Sequence, residues 1–155
     1  MHILLALLYV SLVAAPGCTS LPTKGESIRR TRHNIVNIVQ ISLVHIKKLQ
    51  TMLPASPQIE VTSPSIEGLT SICHDLGLLE NGLQIEVLSQ IQADVSSLEG
   101  KVRSLALTME CPVQAKPSGG TIDNLFPESY LYLILAKVQD YLEQLLLNKD
   151  KLKVC

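Results

Sequence analysis

Cysteine and histidine are the side chains best suited to bind a metal ion, and this chain of 155 residues has four of each. The histidines lie far apart along the sequence, at His2, His33, His45 and His74. His74 directly follows Cys73, and neighbouring side chains on a helix diverge by about 100°. No further cysteine or histidine stands near this pair at the spacing of a zinc site. The sequence therefore predicts no metal site.

Motifs that bind cofactors or activate nucleophiles are also missing from the sequence. There is no glycine-rich phosphate loop, no nucleophile elbow and no Cys-x-x-Cys pair. The acidic residues fit solvated helix faces, so paired carboxylates for acid–base catalysis have no support. Aromatic residues make up 3% of the chain and its net charge is −1, which favours neither nucleic acid nor an acidic membrane as a partner. We therefore expect a protein that is not an enzyme and needs no cofactor.

The N-terminal segment has an apolar run from Ile3 to Ala15, followed by small residues. This run is shorter than the roughly 20 residues of a membrane-spanning helix and is typical of a secretory signal peptide. Cleavage after Ser20 fits the small-residue rule best, whereas cleavage after Gly17 and a retained buried helix are alternatives. We predict a signal peptide at residues 1–20 and one domain at residues 21–155. The product is then secreted and extracellular, without membrane insertion.

The cysteines are informative once the signal peptide is set aside. Its removal takes Cys18 away and leaves three cysteines in an oxidising compartment, so one stays unpaired. Cys111 stands at the end of a helical pattern, and Cys155 at the end of the sequence would tie down a terminus. We predict a Cys111–Cys155 disulfide, which closes a loop of about 44 residues and stabilises the fold by at most about 4 kcal/mol. Cys73 is expected in the core, with pairing to a second chain as the alternative.

Apolar residues at helical spacing mark helical segments that proline and glycine separate. The segments cover about 26–52, 65–81, 85–110 and 128–151. The linkers before the second and the fourth segment are long, whereas the connection between the second and the third is a short turn. Two long connections around a short one predict an all-α fold, the up-up-down-down four-helix bundle of the long-chain helical cytokine type.

The third segment has the most regular apolar pattern. Its apolar residues alternate spacings of three and four, which predicts a continuous buried seam. They are Leu88, Ile91, Val95, Leu98, Val102, Leu105 and Met109. In the first segment further apolar residues flank the main stripe, and we expect them to widen the buried face. They are Ile38, Ile41, Leu43 and Val44.

Several features together resemble the leptin family. The start of the predicted mature chain, Leu21-Pro22, resembles the hydrophobic-Pro start of that family. Residues 90–98 are similar to its third helix and lead without gaps to Cys111. The leucine spacing around Val138 and the residues 150–152 resemble its fourth helix, and the sequence ends on a cysteine, as leptins do. The family has one disulfide between the matching cysteines, so Cys73 is an addition.

The resemblance implies a hormone that binds and activates a class I cytokine receptor and regulates energy balance and food intake. We expect it to be a monomer when free. One receptor-binding face would be built from the first and third helices. Its matching positions are Arg29, Arg32, Asn37, Gln90, Asp94, Ser97 and Lys101. A second face, needed for activation, matches Ser129 and Tyr130. Two departures from the family pattern are Gly100, in place of an acidic residue, and the absence of its C-terminal tryptophan.

Two other functions fit parts of the pattern. Another long-chain helical cytokine would share the topology, but such factors usually carry two disulfides, which three cysteines do not allow. An extracellular lipid carrier would also consist of amphipathic helices, but those helices usually have dense lysine and glutamate faces. Charged residues make up only 17% of this chain, and its third segment has a tight apolar seam.

Overall fold

The computed structural model describes residues 23–54, 59–117 and 127–155, without the side chains of residues 127 and 128. This part of the chain forms four α-helices and two short 3-10 turns, with no strand among the described residues. The helices are α1 (Lys24–Met52), α2 (Leu69–Gly82), α3 (Ser89–Thr108) and α4 (Pro127–Leu147). The 3-10 turns are Glu86–Leu88 and Lys149–Lys153. The predicted signal peptide, residues 1–20, lies outside the described residues.

The ends of the helices differ from the sequence prediction where local hydrogen bonds terminate them. α2 begins at Leu69 because the hydroxyl of Ser71 accepts from the backbone N–H of Gly68 at 3.2 Å. α3 stops two residues before the predicted end because Glu110 adopts a left-handed conformation, with φ of 60°. The N–H of Cys111 then donates to Ala106 O at 2.8 Å, the closure expected of a Schellman motif.

The disulfide shows how three of the helices are oriented. Cys111 and Cys155 are bonded, with their Cα atoms 5.5 Å apart, so the chain leaves α3 and α4 at the same end of the molecule. The N–H of Leu69 donates to Val154 O at 2.9 Å, which brings the start of α2 to that end as well. α2 is therefore antiparallel to both α3 and α4.

The orientation of α1 follows from its contacts with α4. Nε2 of Gln50 donates to Oε1 of Gln139 at 2.7 Å, and the hydroxyl of Tyr132 donates to Pro54 O at 3.1 Å. α1 thus ends where α4 begins, and the two helices are antiparallel. Because α1 and α2 run one way and α3 and α4 the other, the predicted all-α, up-up-down-down bundle is confirmed. α1 and α2 each pack against both α3 and α4.

The core is built from aliphatic stripes of all four helices. The first six apolar residues of the predicted α3 seam, from Leu88 to Leu105, are each at most 1% exposed. The seventh, Met109, is half-buried. The expectation for Ile41 and Val44 was wrong, because these side chains are 52% and 62% exposed. Both point away from the stripe that α3 and α4 cover, whereas Leu43 is buried as expected.

The start of α2 is packed tightly against the end of the chain. Besides the Leu69–Val154 hydrogen bond, the N–H of Thr70 donates to Cys155 O at 3.1 Å. These two carbonyls satisfy N–H groups that a helix start leaves without intrahelical partners. The backbones approach so closely that a Cβ on Gly68 would overlap the carbonyl carbon of Cys155. Glycine at this position therefore serves packing, and its φ of 176° is an ordinary extended value.

Candidate functional site

The polar face of α3 carries the residues that the resemblance assigns to receptor binding. Gln90, Asp94, Ser97 and Lys101 follow one another at spacings of four, three and four, which aligns them along one side of the helix. Gln90, Ser97 and Lys101 are exposed. The side chain of Asp94 is only 14% exposed and accepts from Nε2 of Gln90 at 3.2 Å. The structure therefore brings these four predicted residues together.

His45 of α1 joins this face, although the sequence analysis did not assign it. Its Nδ1 lies 2.5 Å from Oδ2 of Asp94, and its side chain is 34% exposed. Both oxygens of the Asp94 carboxylate are thus engaged within the protein, one by His45 and one by Gln90. The sequence offered only a weak indication of this contact. A histidine at the edge of the α1 apolar stripe needs a polar partner, but the stripe does not show which residue that partner is.

The α1 residues assigned to the receptor face divide between two sides of the helix. Asn37 is exposed and lies about 80° around α1 from His45 and about 180° from the buried Ile46, at about 100° per residue, so it points away from the core. Arg29 and Arg32 lie about 160° and 140° from His45 by the same geometry. Arg32 also precedes Gln50 by five helical turns and thus shares the side of α1 that contacts α4. No described hydrogen bond or ion pair joins Asn37 or either arginine to the α3 residues.

The second predicted site lies at the start of α4. Ser129 is exposed, and Tyr130 is half-buried. The hydroxyl of Tyr130 donates to Gly82 O at 2.8 Å and so joins the start of α4 to the end of α2. Burial raises the pKa of Tyr130 above its ordinary value, which keeps the hydroxyl protonated and able to donate.

A cavity of about 350 Å³ lies next to Tyr130, between α2, α4 and the linker at residues 62–64. Its walls are mainly apolar, but they include the carboxylate of Asp75 and the hydroxyl of Tyr141. Tyr141 donates to Oδ2 of Asp75 at 2.9 Å. Burial raises the pKa of both groups, and the Asp75 charge raises that of Tyr141 further. This pair is a polar contact inside the bundle.

Cys73 packs in the core next to a partly buried ion pair. The residue is 2% exposed, and its Sγ lies 3.5 Å from Oε1 of Glu99, which also accepts from Nε of Arg103 at 2.8 Å. Burial, and next the negative charge of Glu99, raises the pKa of the Cys73 thiol to about 11. Since the thiolate is the reactive form, this cysteine is poorly suited to nucleophilic chemistry. Its predicted burial is confirmed.

Two other kinds of site are missing from the described part of the chain. Among its histidine, cysteine and acidic side chains, no group of three or more is placed to hold a metal ion. No described helix is long and apolar enough to cross a membrane. The arrangement that the structure does offer is a set of polar surfaces on a rigid, disulfide-linked bundle, which suits recognition by another protein.

Comparison with known proteins agrees with this arrangement. The chain is 51% identical to Leptin-B of Oryzias latipes in an alignment of 158 positions that covers all of both chains. No protein-family model matches the chain. Identity at this level over the full length confirms the family that the sequence features resembled. The chain therefore belongs to the leptin family and is a leptin-like hormone, not an enzyme.

Proposed function

We propose that this hormone is secreted after removal of residues 1–20, binds and activates a class I cytokine receptor of the leptin-receptor type, and regulates energy balance and food intake. The observation that carries the proposal is the 51% identity to a leptin along the entire chain. The alignment covers the full length of both chains and so includes the residues of both proposed faces. The free hormone is proposed to be a monomer, which light scattering of the purified protein will check.

The main receptor-binding face is proposed to lie on α3 and the adjacent side of α1. It would contain Gln90, Asp94, Ser97, Lys101 and Asn37. Three of these α3 side chains and Asn37 are exposed, and none of those four makes a described ion pair. Asp94 is held by His45 at 2.5 Å, which supports a fixed carboxylate at the centre of the face. For Arg29 and Arg32, receptor contact stays a prediction from the resemblance.

The second face is proposed to lie at the start of α4 and to serve activation of the bound receptor. Ser129 is exposed there and Tyr130 is half-buried, with its hydroxyl bonded to Gly82 O. α4 is neighboured by α1 and α2, so this face is separated from the α3 face by the bundle itself. Separate faces allow one hormone molecule to contact two receptor surfaces.

A cell reporter tests the proposed function directly. Cells that carry a leptin receptor from a fish should respond to the purified hormone at nanomolar concentration, and cells without the receptor should not. The protein is first shown to be folded by circular dichroism and by a peptide map of the Cys111–Cys155 disulfide. Folded, disulfide-intact hormone that gives no response would overturn the proposal.

Two sets of variants separate the faces. Replacement of Gln90, Ser97 and Lys101 together by alanine should weaken receptor binding about tenfold or more and reduce signalling in parallel. Ser129→Ala combined with Tyr130→Ala should leave binding unchanged and reduce signalling. The hydroxyl of Tyr130 also donates to Gly82 O at 2.8 Å. Tyr130→Phe removes this hydrogen bond but keeps the ring, and so checks whether its loss alone disturbs folding.

His74→Ala is the matched control for these variants, because His74 is exposed on α2 and lies away from both faces. It should change neither binding nor signalling. If the α4 variant lost binding and signalling equally, the idea of two distinct faces would be refuted, although the hormone activity itself would stand.

A further inference from the structure

The cavity between α2, α4 and the linker at residues 62–64 has the size of a small-molecule site. Its volume of about 350 Å³ lies within the range of ligand pockets, about 300–1,000 Å³. An apolar cavity of about 150 Å³ already accepts a benzene ring. The space between these elements therefore suits an apolar ring with a short side chain.

The cavity has an open mouth and a buried floor. Thr62, Leu78 and Lys137 line it and are exposed, so a small molecule can enter between them. Ile134 and Tyr141 line it as well, and both are buried. A ligand would thus leave water on entry and contact the apolar interior of the bundle, which is a favourable transfer.

The wall of the cavity also carries a carboxylate without a cationic partner among the described residues. Asp75 is half-buried, and its Oδ2 accepts from the hydroxyl of Tyr141 at 2.9 Å. No described ion pair involves Asp75. The neighbouring charges of His74 and Glu67 act on its pKa in opposite directions, and burial, the largest cause, raises that pKa. Burial disfavours the charged carboxylate, so a cation inside the cavity would offset that cost.

Two tyrosines add to the preference for a cation. Tyr130 and Tyr141 both line the cavity, and their hydroxyls donate to Gly82 O and to Asp75, which holds each ring in place. Ammonium ions are attracted to the faces of aromatic rings within about 6 Å. An anion would find only Lys137, whose exposed ammonium stands at the mouth in solvent. The charges of the site therefore favour a positively charged ligand.

We propose that this cavity binds a small apolar amine in its ammonium form. The ammonium group would pair with the carboxylate of Asp75, and the apolar part would lie against the side chains of α2 and α4. This site lies apart from the proposed receptor face on α3, because no residue of α3 lines the cavity. The proposal goes beyond the proposed function and does not depend on it.

Calorimetric titration of the full hormone at pH 7 tests the proposal, with phenethylamine as the probe. Phenethyl alcohol is the matched neutral compound, and hydrocinnamate is the matched anion. The amine should bind saturably, with a Kd at least tenfold lower than that of the alcohol, because it adds a charge-assisted hydrogen bond to Asp75. It should also raise the temperature of thermal unfolding, since it binds the folded state.

Variants locate the binding site. Asp75→Asn keeps an acceptor for Tyr141 and removes the charge, so the Kd of the amine should rise about tenfold or more, while that of the alcohol changes less than twofold. Asp150→Asn is the matched control, because Asp150 is exposed and does not line the cavity. It removes the same charge and should change the Kd of the amine less than twofold.

A second pair of variants adds a charge instead of removing one. Leu78→Lys places a cation at the mouth of the cavity and should weaken binding of the amine, whereas Leu147→Lys should not. These leucines are 51% and 76% exposed, so both proteins should fold. If Asp75→Asn failed to give a cooperative thermal transition, this pair would decide the outcome.

Four results would overturn the proposal. They are no saturable binding of phenethylamine, equal affinity for the amine and the alcohol, tighter binding of hydrocinnamate than of the amine, and equal losses in Asp75→Asn and Asp150→Asn. Equal affinity would mean that the cavity accepts apolar molecules whatever their charge. Tighter binding of the anion would assign the site to Lys137. All of these measurements use the hormone alone, so a missing reporter response would refute the proposed function without touching this site.

Discussion

Replacement of Gly68 by alanine should destabilise the hormone, because the start of α2 has no room for a methyl group. A Cβ at this position would overlap the carbonyl carbon of Cys155 and lie 2.6 Å from its oxygen and 3.0 Å from Val154 O. Ordinary van der Waals contact needs more than 3.4 Å. All three atoms belong to the backbone, so no side-chain rotation relieves the overlap, and the 154–155 segment must move away from α2.

The size of the effect follows from the bonds that this movement breaks. Val154 O and Cys155 O accept from the N–H groups of Leu69 and Thr70 at 2.9 and 3.1 Å. Each bond contributes about 0.5–1.5 kcal/mol. Loss of both costs about 2 kcal/mol, and the lower chain entropy of unfolded alanine relative to glycine returns about 0.4–1 kcal/mol. The free energy of unfolding should fall by about 1–2 kcal/mol.

Urea unfolding followed by circular dichroism measures this difference, and Gly100→Ala is the matched control. Gly100 is exposed in the interior of α3, and no atom lies within 4 Å of a Cβ placed there. Alanine should therefore stabilise the protein at Gly100, by up to about 1 kcal/mol, through helix propensity. The reasoning is refuted if Gly68→Ala unfolds at the same urea concentration as the parent, or if both substitutions shift the midpoint in the same direction.

Three further predictions follow from single residues. Glu110→Gly should raise the free energy of unfolding by roughly 1 kcal/mol in the same urea assay, because Glu110 has a φ of 60° that glycine adopts without strain. Cys73 should react with a thiol reagent at pH 8 only as fast as the protein unfolds, because it is buried and its pKa is about 11; rapid labelling of the native protein would contradict this. Asp75 has a pKa raised from 3.8 by burial, so the folded state holds its proton to higher pH than the unfolded state does, and stability falls as pH rises through and above 3.8. Asp75→Asn should reduce that fall between pH 4 and 7, which thermal unfolding at several pH values will measure.

The helices were predictable because the spacing of their apolar residues matches the side of each helix that is buried. The α3 seam shows this best, since alternating spacings of three and four keep its apolar residues, from Leu88 to Leu105, on the side that the other helices cover. Periodicity was less reliable in α1, where apolar residues surround much of the helix. Ile41 and Val44 were assigned to the core, although the position of the neighbouring helices leaves them in solvent.

The candidate site was predictable only within a single helix. Gln90, Asp94 and Lys101 share a face of α3 because helical geometry fixes their relative directions. The contribution of α1 depends on which of its sides meets α3 and which meets α4, and that depends on bonds between residues far apart in sequence. The His45–Asp94 contact joins residues 49 positions apart, and no local sequence pattern predicts it.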